Sequence, residues 1–406
     1  MIIAVSELPD GVIPSGVKIL ANLSTLTVAY QGKRPDVSAR VQQEDNFYII
    51  YTSGSTGTPK GVQITAKCLQ SFVCWMIEAF PSTGHAIYLN QAPFSFDLSV
   101  MDLYPALVSG GTVWALDREI LGKPAHMFAG LAESNVTVWT STPSFAEYCL
   151  RNPLFNQELL PHLRTFLFCG ETLSRTCAAQ LLERFPLATV FNTYGPTEAT
   201  VAVTSVKIDS QLLTSQSALP VGFCKPDCRI LIVDEMNNPL PDGEKGQIVI
   251  AGPGVSPGYY RNTELTKRAF STYEDKTLGT LRSYRTGDSG FLQEGQLFYV
   301  GRLDFQVKLH GYRIELEEIE HQLRRIKGLK SAVVLPKWKE QLCEYLTAFI
   351  VPDRLPEDEF AWGLAVKKEL AQFVPDYMVP RRIVIKDSLP ITVNGKVDRK
   401  RLAEEV

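Results

Sequence analysis

The chain has 406 residues, of which 45% are hydrophobic and 21% are charged, and its formal net charge is -3. This length and composition suit two or three globular domains and exclude a disordered or fibrous protein. The small net charge and the lack of a long basic block argue against nucleic acid as the main partner.

Cysteines and apolar segments indicate the compartment. The eight cysteines are scattered, and the chain is too long for a disulfide scaffold. Cys224 and Cys228 form a close pair, but two incidental thiols are a better interpretation than a zinc site because no histidine-rich cluster completes a ligand set. No basic leader and no run of 18 apolar residues occurs. We expect a cytoplasmic protein with reduced thiols and no membrane span.

The first forty or so residues carry several prolines and glycines, so we expect a short strand or two with loops there. The apolar run 47–51 then predicts a buried strand. A loop rich in glycine and hydroxyl groups follows and ends near Lys60, and apolar residues recur at helical spacing from Leu69. Strand, loop and helix in this order are typical of a phosphate-binding site.

This loop offers the donors that phosphate oxygens need. Its glycines let backbone N–H groups approach an anion, while its hydroxyl groups and lysine add donors and charge. Such a run is more often a flexible surface loop when it stands alone, but its place between a strand and a helix favours phosphate binding. The candidate ligands are Thr52, Ser53, Gly54, Ser55, Thr56, Gly57 and Lys60.

Between about residue 47 and residue 204, short apolar runs alternate with helical patterns. This alternation predicts a mostly parallel sheet covered by helices, with ligands at the carboxyl ends of the strands. The predicted strands span 86–89, 112–116, 136–139, 165–169 and 189–191. The predicted helices span 125–133, 144–150 and 174–185.

The pattern changes after about Pro220. Apolar or alternating runs between turns predict a smaller β subdomain with strands at 229–233, 247–251 and 296–300. The polar stretch 271–282 predicts an exposed loop.

Beyond Gly301 the pattern changes again. Alternation around Val307 and Leu309 predicts a half-buried strand, and the spacing of apolar residues over 316–326 predicts an amphipathic helix. Further strands at 332–335 and 345–351 and a helix at about 358–373 complete a small α+β domain. The expected organisation is a large domain over 1–300, a junction at 301–304 and a small domain over 305–406.

Six further segments accompany the glycine-rich loop, namely 96–99, 192–198, 246–252, 284–288, 301–304 with 311–320, and 394–398. Seven motifs in this order are highly specific. From about Phe47 to its last residue the chain resembles the adenylate-forming superfamily, and within it the amino-acid-activating adenylation domains. Segments 90–104 and 166–171 resemble the branch that activates D-alanine.

The resemblance implies an α/β fold with a large adenylate-forming domain and a small mobile C-terminal domain. It also implies that ATP activates a carboxylate, giving an acyl-adenylate and pyrophosphate with Mg²⁺ as cofactor, before a carrier thiol attacks. In the branch resembled, the acid is D-alanine. Its acceptor is the phosphopantetheine thiol of a D-alanyl carrier protein, for the D-alanylation of lipoteichoic acid.

The resemblance also implies roles for nucleotide-binding residues. Tyr194 would face adenine, and Asp288 would accept hydrogen bonds from the ribose hydroxyls. Thr197 would contact the α-phosphate, Glu198 would help bind Mg²⁺, and Arg302 would add a guanidinium. The rest of the set comprises Gly170, Glu171, Asn192, Thr193, Gly195, Pro196, Tyr299 and Gly301.

Lys396 follows Asn394-Gly395, a tight-turn dipeptide that would hold its ammonium away from the backbone. An isolated Asn-Gly-Lys is usually a solvated hairpin. In the family the matching lysine bridges the substrate carboxylate and the α-phosphate, where a fixed cation stabilises charge in the transition state. The neighbouring motifs favour this catalytic role.

The resemblance places the amino acid at Asp97, which would pair with the α-amine. A helix N-cap near Ser99 is the alternative. We hypothesise that the sulfur of Cys169 fills the space that an L side chain would need, with Val201 as another wall of the pocket. Asp304 resembles the hinge residue of the family.

Alternatives remain open at this point. The chain could activate an L-amino acid or another acyl substrate, which Cys169 and Asp97 disfavour, or it could be an inactive ATP-binding homologue. About fifty residues precede the loop, fewer than in the family. We therefore expect a shortened N-terminal part of the large domain.

Overall fold

The computed structural model describes residues 2–4, 19–22, 36–53, 59–81, 85–116, 118–121, 123–214, 218–303, 306–339, 342–390 and 397–406. Two compact units, Met1–Gln42 and Gln43–Val406, divide the chain. In the first unit, β1 (Ile2–Ala4) pairs in parallel with β2 (Ile19–Asn22). This agrees with the prediction of a short strand or two in this region. Within the described part of the chain, no helix combines the length and the apolar character needed to cross a membrane.

The glycine-rich loop connects two strands of a hairpin. β3 (Asn46–Thr52) pairs in antiparallel fashion with β4 (Lys60–Thr65), and α1 (Ala66–Ala79) follows at once, with Thr65 as its N-cap. The predicted order of strand, loop and helix is therefore wrong by one strand, and β3 is largely exposed rather than buried. In β4, only Val62 and Ile64 show the apolar alternation of a strand. A pattern of this length is too short for a strand to be recognised.

The parallel part of the main sheet confirms the predicted alternation of strands and helices. Its strands, in the order β6-β5-β7-β8-β9, are all parallel to one another. These strands are β5 (Ile87–Asn90), β6 (Thr112–Ala115), β7 (Val138–Ser141), β8 (Thr165–Phe168) and β9 (Thr189–Tyr194). The helices of this region are α2 (Val100–Ser109), α3 (Arg118–Leu121), α4 (Pro124–Glu133), α5 (Pro143–Leu150) and α6 (Arg175–Arg184).

Antiparallel strands continue the same sheet beyond β9. They are β10 (Thr204–Ile208), β11 (Gly222–Cys224), β12 (Arg229–Val233), β13 (Gly246–Ala251), β14 (Phe270–Asp275), β15 (Gly279–Gln293) and β16 (Gln296–Arg302). They lie in the order β9-β10-β11-β16-β15-β13-β12, and β14 pairs with β15. The predicted β subdomain is thus hydrogen-bonded to the parallel strands. The short helices α7 (Ser210–Thr214) and α8 (Thr263–Ala269) lie between these strands in the chain.

The predicted exposed loop at 271–282 is wrong, since β14 and the start of β15 form a hairpin there. Ser271, Thr272 and Glu274 are exposed, and so are Thr280 and Arg282 on the partner strand. Because this hairpin is exposed to water, its strands do not need alternating apolar residues. Such alternation is the pattern by which strands are recognised in a sequence.

The C-terminal region forms the predicted α+β arrangement. β17 (Gln306–Leu309) and β18 (Tyr312–Glu315) form a hairpin, followed by α9 (Leu316–Leu323). A separate sheet then contains β19 (Leu329–Lys339), β20 (Leu342–Pro352) and β21 (Arg382–Ile385), with α10 (Glu359–Leu370) and α11 (Arg399–Ala403). Apolar residues from Val307 to Met378 form a core of their own. The boundary at 301–304 stays a prediction, and Asp304 lies outside the described residues.

The main sheet positions the site through its two faces. Along β8, Phe166 and Phe168 pack into one apolar core, whereas Leu167 packs into the other. This is the alternation that a strand buried on both faces requires. Cys169 follows β8 and joins the core of Leu167, so the chain leaves the sheet with this thiol already buried.

Candidate active site

A cavity of about 570 Å³ lies where β8 and β9 end. Nine of the predicted nucleotide-binding residues line it, namely Gly170, Glu171, Asn192, Thr193, Tyr194, Gly195, Tyr299, Gly301 and Arg302. The C-terminal region supplies further wall, including Lys308, Leu335 and Trp338. A mostly apolar concave site of this size with a few convergent polar groups suits a small-molecule ligand.

Asp288 lies beside this cavity with its carboxylate held by two neighbours. It stands opposite Arg302 across β15 and β16, and Arg302 donates a hydrogen bond of 2.8 Å to Oδ1. The Tyr194 hydroxyl donates to Oδ2 at 2.6 Å. Burial, with the added charge of Asp288, raises the pKa of Tyr194 well above its ordinary value, so the phenol stays a neutral donor. Each carboxylate oxygen can accept more than one hydrogen bond, so both oxygens keep acceptor capacity.

A second group of polar residues forms a buried set of charges, which we call the Glu198 cluster and which contains Lys60, Glu198, Arg313 and Glu315. Glu198 belongs to a short 3-10 helix, Thr197–Ala199, that follows β9. Arg313 donates to Glu198 Oε2 at 2.7 Å. The Lys60 ammonium lies 3.8 Å from Glu198 Oε1 and 3.8 Å from Glu315 Oε1.

The pKa values of this cluster follow from burial and pairing. Burial alone would raise the pKa of Glu198, but Arg313 and Lys60 outweigh it and lower that pKa to about 2. Burial, followed by the charge of Arg313, lowers the pKa of Lys60 to about 8, against the opposing effect of Glu198 and Glu315. The cluster thus contains an ionised carboxylate beside a lysine whose charge is held less firmly than usual.

Two tyrosines complete the surroundings of Glu198. The Tyr259 hydroxyl donates to Glu198 Oε1 at 2.9 Å and lies 3.5 Å from the Tyr284 hydroxyl. Lys60 also lies over the Tyr259 ring, 5.3 Å from its centroid. Sequence reasoning missed Tyr259 and Arg313. Arg313 stands inside the motif 311–320, so its position was noticed although no role was given to it.

The predicted substrate residues come together. Asp97 begins a 3-10 helix, Asp97–Ser99, and is buried. Cys169 is also buried, and its Sγ lies 3.7 Å from the carbonyl oxygen of Val201. Burial raises the pKa of Cys169. The charge of Lys308 opposes this effect, and the charge of Asp97 adds to it. The alternative role of an N-cap is not observed for Asp97, because Ser99 is the N-cap residue of α2 and its hydroxyl donates to Phe96.

The backbone around Val201 is strained. Thr200 and Val201 have φ values of 60° and 67°, in the left-handed region that β-branched residues rarely adopt. Gly195 lies so close that a Cβ atom there would be 2.6 Å from the Cα of Ala202 and 2.8 Å from the Val201 carbonyl oxygen. The close approach of these two segments therefore requires glycine at 195 and orients the carbonyl that meets Cys169.

The hairpin formed by β17 and β18 contacts predicted nucleotide ligands. The Ser53 hydroxyl donates to the Arg313 carbonyl oxygen at 2.7 Å and accepts from the Glu315 N–H at 3.2 Å. The Gly311 N–H donates to Glu171 Oε1 at 2.7 Å, and the Ser144 N–H donates to Oε2 at 3.1 Å.

Other predicted ligands differ in their surroundings. Thr52 has a buried hydroxyl that finds no hydrogen-bond partner among the described residues. Thr197 is buried, and its side chain forms a hydrogen bond with Asp97. Burial raises the pKa of Asp97, and this hydrogen bond opposes that effect. Pro196 is the N-cap residue of the 3-10 helix. Gly54, Ser55, Thr56, Gly57 and Lys396 lie outside the described residues, so their roles stay predictions.

A second cavity of about 910 Å³ adjoins the substrate residues. It is lined by Phe96, the chain neighbour of Asp97, and by Thr142, Tyr312 and the basic residues Arg151 and Arg381. Over the ranges that the structure describes, no group of three or more His, Cys, Asp or Glu side chains could hold a metal ion. Cys224 and Cys228 are both free thiols.

Comparison with known proteins agrees with this geometry. The family described as AMP-binding enzyme matches residues 8–260, and the AMP-binding enzyme C-terminal domain matches residues 318–396. Such enzymes use ATP. The adenylation domain AlmE of Vibrio cholerae, solved with glycyl-adenosine-5'-phosphate, is similar with a TM-score of 0.78 and 28% identity, over 91% of this chain and 68% of that one. The amide bond synthetase McbA of Marinactinospora thermotolerans shares the fold, with a TM-score of 0.76 and 23% identity, over 92% of this chain and 74% of that one.

Curated relatives match over nearly all of the chain. The D-alanine–D-alanyl carrier protein ligase of Bacillus cereus is 51% identical over 405 residues, which are 100% of this chain and 78% of that protein. The ligase of the same name from Bacillus cytotoxicus is 53% identical over 386 residues, which are 95% of this chain and 76% of that protein. The chain therefore belongs to the D-alanine–D-alanyl carrier protein ligase family of AMP-binding enzymes.

Proposed function

We propose that the chain activates D-alanine with ATP, giving D-alanyl-AMP and pyrophosphate. It then transfers the D-alanyl group to the phosphopantetheine thiol of a D-alanyl carrier protein, for the D-alanylation of lipoteichoic acid. Because ATP is its substrate, the proposed place of the reaction is the cytoplasm. The observation that carries the proposal is the convergence of Asp97, Cys169 and Val201 next to Gly170, which lines the nucleotide cavity.

Asp97 suits the ammonium group of an amino acid. Its carboxyl is buried, and no cation of the described residues lies within 4.0 Å of it. Burial raises the pKa of Asp97, although Thr197, Lys308 and Arg313 oppose this effect. An arriving ammonium would supply the missing charge at close range and hold the carboxylate ionised.

Cys169 suits selection of the D configuration. Its Sγ is held between the core and the Val201 carbonyl oxygen, so the sulfur occupies a fixed volume. A methyl group directed at that volume would collide with it, whereas the opposite configuration would direct the methyl elsewhere. A hydrophobic contact of this size discriminates by about 10- to 200-fold.

ATP would bind with its adenosine in the 570 Å³ cavity, where Tyr194 and Asp288 provide the aromatic face and the ribose acceptor. The donors of 52–60 would hold its phosphates, and Thr197 would contact the α-phosphate. We propose that Lys396 is the catalytic cation that bridges the carboxylate and the α-phosphate.

Mg²⁺ is the proposed metal, and Glu198 its proposed ligand. A carboxylate oxygen is the ligand type that Mg²⁺ prefers, so the donor chemistry fits. When bound, the ion would neutralise charge on the triphosphate. In the arrangement described, Arg313 and Tyr259 already bond to the two oxygens of Glu198.

The second half-reaction needs a route for a thiol. We propose the 910 Å³ cavity as this route, because it reaches Phe96 and contains basic residues that suit the phosphate of a phosphopantetheine arm. We further propose that residues 305–406 move as a small domain against the large domain 1–300, with a hinge at Asp304. The separate apolar core that begins at Val307 supports this division.

Exchange of labelled pyrophosphate into ATP tests the first half-reaction. D-Alanine, L-alanine, D-serine and acetate are supplied in parallel to the 406-residue chain. We expect exchange stimulated mainly by D-alanine, followed by loading of a phosphopantetheinylated D-alanyl carrier protein. Equal stimulation by acetate would refute a role for Asp97 in amine recognition. Exchange with none of the acids, while ATP still binds, would refute the proposed function for this chain.

A further inference from the structure

Cys224 and Cys228, the close pair of cysteines in the sequence, are in contact in the structure. Their thiols form a hydrogen bond in which Cys224 donates and Cys228 accepts. Both are free thiols, and neither lines the cavities that we assign to ATP and to the carrier arm. The proposed function therefore leaves this pair without a role.

A tight turn holds the two thiols together. β11 ends at Cys224, β12 begins at Arg229, and between them the Cys228 N–H donates to the Lys225 carbonyl oxygen at 3.1 Å. The chain is closely packed behind Cys228, since a Cβ atom at Gly252 would lie 3.2 Å from the Cys228 Sγ. The turn therefore fixes Cys228 with its sulfur beside that of Cys224.

A cavity of about 260 Å³ gives small reagents access to the pair. Both cysteines line it, and Leu292 and Leu297 form part of its apolar wall. Cys224 is half-buried, whereas Cys228 is buried and is reached through the cavity. Hydrogen peroxide is little larger than water, which occupies about 30 Å³ in the liquid, so the cavity can admit it.

The charges around the turn favour a thiolate at Cys228. The side chain of Lys225 is 1% exposed, and its ammonium donates to Asp227 Oδ1 and to Ser71 of α1, each at 2.5 Å. The hydrogen bond from Cys224 lowers the pKa of Cys228, and the charge of Lys225 acts in the same direction, against burial and the charge of Asp227. The same hydrogen bond, together with burial, raises the pKa of Cys224. Cys228 is thus the thiol that ionises, and Cys224 keeps its proton.

We propose that Cys224 and Cys228 form a site of reversible oxidation by hydrogen peroxide, at which Cys228 attacks and Cys224 resolves. The Cys228 thiolate attacks one peroxide oxygen, the O–O bond breaks, and the other oxygen leaves as hydroxide and takes up a proton to become water. The Cys224 sulfur then attacks the sulfenic sulfur of Cys228. An S–S bond forms, the S–O bond breaks, and the hydroxyl leaves as water with the Cys224 proton. Two thiols are oxidised to one disulfide, and one peroxide is reduced to two waters.

The unequal exposure of the two sulfurs makes the disulfide reversible. An external thiol reaches the half-buried Cys224 sulfur more readily than the buried Cys228 sulfur. Its attack on Cys224 expels Cys228, which is the better leaving group because its pKa is the lower of the two. In a reducing compartment the disulfide is therefore transient. Its formation also protects Cys228 from irreversible oxidation to the sulfinic acid.

Competition between two sites of the same chain tests the proposal. The reduced 406-residue protein is treated with hydrogen peroxide for increasing times, and the remaining thiols are blocked with N-ethylmaleimide. Because Lys225 precedes a proline, trypsin leaves both cysteines in the peptide 208–229, which loses two hydrogen atoms when the disulfide forms. We expect this disulfide to form about tenfold or more faster than the exposed Cys74 is oxidised. Oxidation of Cys74 first, with peptide 208–229 still reduced, would overturn the proposal.

Two serine variants test the assigned roles. In Cys224→Ser the hydroxyl can still donate to Cys228, but the sulfenic acid is not resolved, so dimedone should label Cys228. In Cys228→Ser the attacking thiolate is absent, and Cys224 should react about tenfold or more slowly than in the parent. Unlabelled Cys228 in the first variant, or an unchanged rate at Cys224 in the second, would contradict the roles.

The measurement on the parent protein requires no variant, so a variant that fails to fold does not leave the proposal untested. ATP and D-alanine are absent from these assays. Pyrophosphate exchange by the reduced parent therefore tests the proposed function separately.

Discussion

The nucleotide cavity and the Glu198 cluster are held together in different ways. Around the cavity, Asp288, Arg302 and Tyr194 lie on β15, β16 and β9, all strands of one hydrogen-bonded sheet. In the Glu198 cluster, the two basic residues come from β4 and β18, which belong to two other sheets.

This difference separates a preformed region from one that can be taken apart. Asp288 keeps its partners as long as the sheet exists, whereas Glu198 loses Arg313 whenever the hairpin β17–β18 moves. We therefore expect the proposed recognition of adenosine to be rigid, and the proposed phosphate and metal region to change its partners during the reaction. Four substitutions test this contrast.

The largest effect is expected at Lys60, in the region that changes. Lys60→Met removes the cation at the end of the proposed phosphate loop. We expect D-alanine-dependent pyrophosphate exchange to fall by roughly 10²-fold or more, mainly in kcat, because charge that develops on the phosphates loses its partner. Lys67→Met is the matched control, since Lys67 is exposed and pairs with Glu44. A variant of Lys60 that changes KM for ATP and leaves kcat intact would place this lysine in ground-state binding instead.

Asp288→Asn tests the preformed region. The amide has no charge to pair with Arg302. Its nitrogen donates hydrogen bonds where the carboxylate oxygen accepted them, so we expect ribose binding to weaken. We expect KM for ATP to rise by about 10- to 100-fold, with a smaller change in kcat, the loss of one or two charge-assisted hydrogen bonds. Asp275→Asn, which alters another Asp–Arg pair on the same sheet, is the control. Unchanged KM in Asp288→Asn would remove this residue from the ribose site.

Cys169→Ala concerns the boundary between the two regions. Removing the sulfur opens space beside Val201, and we expect the preference for D-alanine over L-alanine in pyrophosphate exchange to fall by about tenfold. Cys149→Ala removes another buried thiol, from the other apolar core, and should leave the preference unchanged. Full retention of the preference in Cys169→Ala would show that another group selects the configuration.

Asp102 sharpens the comparison because it is a buried carboxyl that accepts a hydrogen bond from a side-chain amide and not from a cation. Asn90 donates to its Oδ1 at 3.0 Å, and within the described part of the chain Oδ2 has no hydrogen-bond partner. Burial raises the pKa of Asp102 to about 8 from 3.8, against the hydrogen bonds that lower it. Glu198, which is as deeply buried but paired with cations, shifts in the opposite direction.

The sign of the pH effect follows from this raised pKa. Between the unfolded and folded pKa values the folded chain keeps a proton that the unfolded chain releases, so this carboxyl lowers stability as pH rises by about 1.4 kcal/mol per pH unit. The difference in free energy of unfolding between Asp102→Asn and the parent should therefore grow in favour of the variant from about pH 5 to about pH 7. Parallel curves from denaturant titrations would contradict the raised pKa.

Much of the fold could be predicted from the sequence, because buried strands and amphipathic helices have distinct periods. β5 to β9 are recognisable for this reason, and so are β17, β19, β20, α9 and α10 of the C-terminal region. The short elements β18, β21 and α11 were not predicted. The β14–β15 hairpin was missed because its exposed residues have no such alternation, and β4 because it is short. The residue pattern along the chain also could not show that the antiparallel strands belong to the same hydrogen-bonded sheet as the parallel strands.

The candidate site was predictable to a different degree in the two regions. Asp288, Tyr194 and Arg302 belong to motifs whose chemistry is local, and the structure brings them together. Arg313 stands inside a motif as well, but its partner Glu198 lies 115 positions away in the sequence. Such a pairing depends on how the hairpin docks, and a single sequence contains no direct signal for it.

The strained pair Thr200 and Val201 has a consequence for protein engineering. Each residue in the left-handed region costs of order 1–3 kcal/mol, and glycine would relieve most of that cost. Both side chains are buried, however: Val201 packs in the apolar core, and the Thr200 hydroxyl donates to the Gly254 carbonyl oxygen at 2.7 Å. Glycine would exchange the backbone strain for a cavity or a lost hydrogen bond of similar cost, so selection for heat resistance would retain both residues and, with them, the fixed carbonyl that meets Cys169.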